Sequence, residues 1–189
     1  MTKKHIAIPA VVTSFLLLGG CASNSNQQDS QPVAETAAVM KAEIVAELYE
    51  VHKDGRIYIF YDRGLYEDFI KHGHTAYSFN RIGDGPNGET LVFGLTGADK
   101  KKRSGIPSVE LYDGSMTPTA FYGEALIDGR IYVFDDMDEM KAVRTHHEAA
   151  YRLTDIGAGP NGETVVYVLT SENKKQRPEA LIAKFKSMN

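Results

Sequence analysis

The chain has 189 residues, with 21 Lys and Arg against 25 Asp and Glu and a formal net charge of −4 at pH 7. A mildly acidic chain gives no overall electrostatic case for binding nucleic acid. Cys21 is the only cysteine. A disulfide framework and a zinc site built from several thiolates are therefore excluded.

Residues 1–20 have the composition of a targeting segment. Lys3 and Lys4 precede a largely apolar stretch over residues 6–18, which is short for a membrane-spanning helix. The stretch ends in Leu18-Gly19-Gly20-Cys21, which resembles the lipobox of bacterial lipoproteins. An ordinary secretory signal followed by a coincidental cysteine remains the alternative.

The resemblance covers only this signal, and it implies a specific modification. In that family a diacylglyceryl group is attached to the cysteine, here Cys21, the chain is cut before it, and the new amino group is acylated. Several acyl chains together anchor a protein firmly to a bilayer. Because Ala22 rather than an aspartate follows Cys21, the resemblance implies the periplasmic face of the outer membrane.

Residues 21–42 are predicted to form a flexible tether. They are rich in Ser, Asn, Gln and Ala and too poor in large apolar residues to build a core. Removal of residues 1–20 also removes Lys3 and Lys4, which changes the formal charge from −4 to 19 − 25 = −6.

The remaining sequence contains an internal repeat. The hexapeptide Gly-Pro-Asn-Gly-Glu-Thr occurs at residues 85–90 and again at 159–164, an offset of 159 − 85 = 74. At this offset residues 50–103 match residues 124–177 without a gap at 25 of 54 positions. We expect two copies that share one globular unit, because each is too small for a sizeable core of its own. Their boundaries are predicted at residues 43–116 and 117–189.

Each copy is predicted to have the element order ββαββ. Asp54-Gly55 and Asp128-Gly129 supply the two left-handed residues of a tight hairpin turn. The apolar strands that follow, residues 57–61 and 131–134, have no polar face and are therefore predicted to be inner strands.

A helix follows the first hairpin in each copy, over residues 64–72 and 138–146, and a second hairpin closes the copy. The two helices share almost no identities, so we expect any function specific to one copy to lie on its helix. Another helix is predicted after Pro178, whereas the stretch around Pro107 is too broken to form a long one. The predicted fold is α+β, a mainly antiparallel sheet with the helices on one face.

The repeated hexapeptide lies in the turn of the second hairpin. Residues 83–88 match the Gly-x-Gly-x-x-Gly pattern of dinucleotide sites, but a Pro within the loop and a β-rich stretch after it exclude that interpretation. Turn chemistry accounts for the repeated Asn and Gly, but not for the Glu. We therefore consider the loop tips as recognition sites, at Asn87, Glu89, Asn161 and Glu163.

Histidines end both predicted helices. His146, His147 and Glu148 offer the ligand types of a weak divalent metal site. The simpler interpretation is that His72 and His146 complement the negative ends of the helix dipoles. Apart from this metal and the lipid on Cys21, the sequence predicts no cofactor.

A basic cluster follows each second hairpin in an otherwise acidic chain. Such clusters contact anionic headgroups or an acidic partner, or they are solvated turns. Their residues are Lys100, Lys101, Lys102 and Arg103 in the first copy, and Lys174, Lys175 and Arg177 in the second.

These features together predict a lipid-anchored cell-envelope lipoprotein with a non-catalytic binding or assembly role in the periplasm. Its expected partners are the membrane, through the anchor, and an envelope protein. The alternative is a periplasmic lipoprotein that binds a small ligand or a metal. An enzyme is the third interpretation, because the sequence has no recognisable catalytic motif, although catalytic residues also assemble in space.

Overall fold

The computed structural model describes residues 45–189. The predicted signal segment, the predicted lipidation site at Cys21 and the predicted tether over residues 21–42 lie outside the described residues. The strands are β1 (Val45–Lys53), β2 (Arg56–Phe60), β3 (Ser78–Arg81), β4 (Thr90–Gly94), β5 (Ala120–Ile127), β6 (Arg130–Phe134), β7 (Tyr151–Asp155) and β8 (Thr164–Leu169). The helices are α1 (Arg63–His72), α2 (Pro107–Tyr112), α3 (Met137–His146) and α4 (Glu179–Met188).

The strands form one sheet in the order β3-β4-β2-β1-β5-β6-β8-β7. The predicted hairpins are confirmed, because β1 pairs antiparallel with β2 and β5 with β6. Asp54 and Gly55, like Asp128 and Gly129, have positive φ in the connecting turns. The two halves use one register at an offset of 74: Tyr49 faces Phe60, and Gly123 faces Phe134.

The sheet is mixed, so the prediction of a mainly antiparallel sheet is borne out only in part: four strand pairs are antiparallel. Three of its seven strand pairs are parallel: β1–β5, β2–β4 and β6–β8. In each half the second hairpin joins the first through its second strand: β4 pairs with β2, and β8 pairs with β6. The second strand takes the inner position because it is the more apolar of the two. β4 is almost entirely buried beside β2, while β3 is mostly exposed at the edge, where polar side chains protect a sheet from further pairing.

The helices lie on both faces of the sheet, which corrects the prediction of a single covered face. Met140 and Val143 of α3 join the same core as Leu111 of α2. Tyr66 and Phe69 of α1 join the opposite core, together with the buried side of α4. The reason is topological, because β1 and β5 are parallel neighbours at the centre of the sheet. The two-fold axis that relates the halves is therefore parallel to the strands. Rotation about this axis exchanges the two faces of the sheet, so equivalent helices lie on opposite faces.

The two ends of the sheet differ in what they carry. β1 begins at Val45, at the end where β2, β4, β6 and β8 finish and where both basic loops follow. The loops with the repeated hexapeptide lie at the opposite end, beside the tight turns. There Thr90 N donates a hydrogen bond of 3.1 Å to Gly55 O.

Candidate binding crevice

Two glutamates occupy equivalent positions at the centre of the sheet. Glu50 lies on β1 and Glu124 on β5, and neither side chain is exposed at all (0 %). Because the halves are turned over relative to each other, the two carboxylates point to opposite faces. Each one meets an arginine from the helix of the other half.

Glu50 belongs to a closed arrangement between α2 and α3. Arg144 Nε donates to Glu50 Oε1 at 2.8 Å, and Arg144 Nη2 donates to the same oxygen. Burial alone raises the pKa of Glu50, but the Arg144 charge outweighs it and the pKa lies below its ordinary value. The ring of Tyr112 covers the guanidinium, with 4.4 Å between Arg144 Cζ and the ring centroid.

Neighbouring side chains close the rest of this space. His52 Nε2 lies 3.3 Å from Glu50 Oε2, and its ring packs edge-on against His147 with centroids 5.4 Å apart. Asn87 Nδ2 donates to Thr145 O at 3.3 Å. The hexapeptide loop of the first half is thereby fixed to the end of α3.

On the other face, only one of the two carboxylate oxygens of Glu124 accepts hydrogen bonds. Tyr122 Oη donates to Glu124 Oε1 at 2.6 Å, and Arg63 Nη1 and Asn189 Nδ2 donate to it at 3.2 Å each. Glu124 Oε2 is buried and has no hydrogen-bond partner within residues 45–189. Burial and the Glu124 charge raise the pKa of Tyr122, so its hydroxyl remains a donor.

The space equivalent to the closed arrangement is open on this face. It forms a crevice of about 630 Å³ beside α1, reaching from Arg63 to the second hexapeptide loop and the end of α4. Ile70 stands where the closed face has Arg144, and its side chain is 41 % exposed. Leu126 likewise replaces His52. We call this space the α1 crevice.

Lys71 and Arg63 supply the positive charge of the α1 crevice. Arg63 already pairs with Glu67 at 2.6 Å and with Glu124 at 3.2 Å. Lys71 lines the crevice and has no ion pair or hydrogen bond within the described residues. Its ammonium group is therefore the cation of the crevice without a partner in this part of the chain. The Glu163 carboxylate, which also lines the crevice, likewise has no ion pair within residues 45–189 and accepts only from Asn161.

The loop residues predicted for recognition have a structural role in their own turn. Glu163 Oε2 accepts from Asn161 N at 2.8 Å, and Oε1 accepts from Asn161 Nδ2 at 3.0 Å. Although burial raises the pKa of Glu163, these donors lower it overall. A Cβ at Gly159 would lie 2.5 Å from Glu163 Oε2, so only glycine fits there.

Glu89 and Asn87 form the same turn in the first half, at 2.8 Å and 3.2 Å. The two loops nevertheless differ in exposure to a ligand. Asn161 and Glu163 line the open α1 crevice, whereas Asn87 is bonded to α3. Recognition at these loops stays a prediction. Of the two loops, only the second lines the α1 crevice, an open space that a ligand could enter.

The residues proposed to hold a metal do not converge. His147 caps α3 in a left-handed conformation (φ 57°) and turns toward His52. Glu148 pairs instead with Arg152 at 2.9 Å, and His146 is exposed. No group of three or more His, Cys, Asp or Glu within residues 45–189 is arranged to hold a metal ion.

The two basic clusters lie at opposite edges of the sheet but at the same end of it. They follow β4 and β8, five strand spacings or roughly 24 Å apart. Lys102 pairs with Asp99 at 2.6 Å and Arg177 with Glu179 at 3.0 Å, whereas Lys101, Arg103 and Lys175 have no ion-pair partner in the described part. Lys100 and Lys174 each lie over a tyrosine ring, at 4.5 and 4.3 Å.

Sequence reasoning missed the two buried glutamates. Their signal was present, because Glu50 is identical to Glu124 at the repeat offset and interrupts an apolar strand. The arginines gave no such signal: Arg63 and Arg144 come from the diverged helices, at non-equivalent positions.

No protein-family model matches the sequence, and no curated protein or solved structure matches it significantly. Within residues 45–189 no helix combines the length and apolar content needed to cross a bilayer. The site therefore has to be interpreted from its own geometry.

Proposed function

We propose that this chain is a lipid-anchored cell-envelope protein with a non-catalytic role, which binds a ligand or partner in the α1 crevice. One observation carries the proposal: two equivalent spaces exist, and only one is filled by the protein's own side chains. A crevice of about 630 Å³ is within the usual range for ligand sites.

The two halves are best explained as tandem ββαββ repeats. Their support is the common order of elements and the common register at an offset of 74, as in Arg56–Thr90 and Arg130–Thr164. Duplication produces two equivalent crevices. Divergence of the helices then closes one with Arg144 and leaves the other open at Ile70.

The anchor at Cys21 and the outer-membrane location rest on the lipobox resemblance. The position of Val45 is compatible with both, because the chain enters the sheet at the end that carries both basic loops. Lys101, Arg103 and Lys175 would there meet anionic headgroups. The same end also carries the helix-capping residues Asp62 and Asp136, so it is not uniformly basic.

The anchor is tested by replacing Cys21 with Ser in the full chain expressed in a Gram-negative bacterium. We expect the wild type to incorporate labelled palmitate and to sediment with outer membrane, and Cys21→Ser to do neither. Unlabelled, soluble wild-type protein would contradict the anchor.

The binding role is tested by in-cell photocrosslinking at equivalent positions of the two faces. A photoreactive residue at Lys71 probes the open crevice, and one at Thr145 probes the closed one. Both positions are exposed, so they are a matched pair. We expect a defined adduct from position 71 only; equal labelling from both, or none, would contradict binding in the α1 crevice.

A further inference from the structure

The closed face shows what the open face lacks. Arg144 spans the space between α2 and α3, places its charge on Glu50 and has its guanidinium group covered by the ring of Tyr112. On the open face the equivalent residue, Ile70, carries no charge and remains 41 % exposed. A guest in the α1 crevice therefore meets an apolar side chain where the other face has a cation.

Part of the wall of the α1 crevice is apolar, and polar and charged side chains form the rest. Ile70 and Leu126 face the space together with Ile131 and Pro160. The polar groups among them are largely occupied: Glu163 by its own loop, and Arg63 by Glu67 and Glu124. Only Lys71 and the hydroxyl of Tyr66 have no hydrogen bond within residues 45–189.

Because most polar groups of the wall are already hydrogen-bonded, the crevice favours a ligand with few polar groups. A peptide segment would bring backbone N–H and C=O groups that find few partners here, and each unpaired group costs free energy on burial. An acyl chain has none, and a terminal carboxylate would meet the free ammonium group of Lys71. Arg63 and Lys71 are eight residues apart on α1, so the crevice extends about 12 Å along the helix.

We propose that the α1 crevice binds a single-chain amphiphile with an anionic head, such as a free fatty acid. The chain lies against Ile70, Leu126 and Pro160, and the carboxylate pairs with Lys71. This inference rests on the proposed binding function of the same crevice, and it names the ligand class.

The test is calorimetric titration of the tether-less domain, residues 43–189, after circular dichroism and a cooperative thermal transition have shown that it folds. The three probes are acetate, decanoate and decylammonium, and the two amphiphiles are used below their critical micelle concentrations. We expect decanoate alone to bind, because acetate lacks the chain and decylammonium has the wrong charge. Binding of decylammonium as tightly as decanoate would overturn the proposal. So would saturable binding of an apolar acidic tetrapeptide without binding of decanoate.

Two variants locate the site. Position 71 is exposed, so the Lys71→Met variant should fold normally. It should weaken decanoate binding by up to about fivefold, which is the range of an exposed ion pair. Thr145→Met, at the equivalent position of the closed face, is the matched control and should leave binding unchanged.

The second variant, Ile70→Arg, rebuilds the closed arrangement on the open face. Its guanidinium is expected to reach Glu124 Oε2, which has no partner, as Arg144 reaches Glu50. The variant should stay folded and lose decanoate binding at least tenfold. Unchanged affinity in a folded Ile70→Arg protein would place decanoate elsewhere and overturn the proposal.

The outcomes separate this inference from the proposed function. Photocrosslinking at Lys71 without decanoate binding would retain the binding role and reject the ligand class. Absence of both would reject both.

Discussion

The buried pair of Glu50 and Arg144 shows how one residue determines whether a space is open. Arg144 is almost wholly buried, and the Glu50 charge raises its pKa despite the opposing effect of burial. A pair of this kind contributes little net stability, but removal of one partner leaves an uncompensated charge in the core.

Arg144→Leu is therefore expected to lower the free energy of unfolding by about 3–5 kcal/mol. The double variant Glu50→Gln/Arg144→Leu should recover part of that loss, because it also removes the buried charge. Urea unfolding at neutral pH measures both.

The matched control for that prediction is on the same helix. Lys141→Met removes an exposed pair with Asp138, 3.1 Å long, and should cost no more than about 1 kcal/mol. An Arg144→Leu protein as stable as Lys141→Met would show that the buried pair does not close the α2–α3 space as described.

Asp99 gives a pH-dependent prediction at the same scale. Bonds from Lys102, Thr96 and Tyr61 to its carboxylate lower the pKa of Asp99 to about 2, against about 3.9 in an unfolded chain. A depressed folded pKa contributes stability above pH 4 that is lost as the pH falls toward 2. Asp99→Asn should therefore lose less stability between pH 4 and pH 2 than the wild type does.

Chemical unfolding at several pH values between 2 and 7 provides the measurement. Lys102→Met removes the largest cause of the shift, so the folded pKa of Asp99 should lie nearer its unfolded value. The variant should therefore lose less stability between pH 4 and pH 2 than the wild type does. Profiles of the same shape in all three proteins would refute the assignment.

At the scale of elements, the two hairpins of a half meet through close packing between β4 and the end of β2. Gly94 ends β4, and a Cβ built there would overlap the buried ring of Phe60. The second half has Val168 at the equivalent position, so this requirement for glycine belongs to the first half alone.

Gly94→Ala should destabilise the protein by about 1–3 kcal/mol, because the Phe60 ring must move within a packed core. Gly97→Ala, three residues later, is the control: no atom lies within 4 Å of its Cβ and its φ is not positive. Thermal unfolding of the two variants compares them directly. Equal melting temperatures would contradict the close approach.

At the scale of the whole molecule, the sheet is continuous through the parallel pairing of β1 and β5. That pairing runs from Val45–Ala120 to Val51–Leu126 along the two longest strands. Separation of the halves would expose both strands as long, apolar edges, which promote association.

We therefore expect residues 43–116 and 117–189, expressed separately, to be unfolded or aggregated, and to regain structure when mixed. Circular dichroism and NMR of each half and of the mixture measure this. A monomeric half with a dispersed NMR spectrum would show that the two halves are independent domains.

The local features of this protein were determined by the sequence alone. Asp-Gly pairs require positive φ and so predicted both tight turns, and strands without a polar face predicted the inner positions of β2 and β6. The helices predicted over residues 64–72 and 138–146 each begin one residue earlier in the structure, directly after the capping residues Asp62 and Asp136. These features depend on neighbours a few residues apart, which a single sequence displays directly.

The tertiary structure decided the rest. Either strand of the second hairpin could pair with the first hairpin, and this decides which strand pairs are parallel. The outcome depends on how much apolar surface each of the two pairings buries. The turned-over relation of the halves follows from the β1–β5 pairing. The contrast between the closed face and the α1 crevice depends on side chains 94 residues apart, Glu50 and Arg144, and no local pattern in the chain records such a contact.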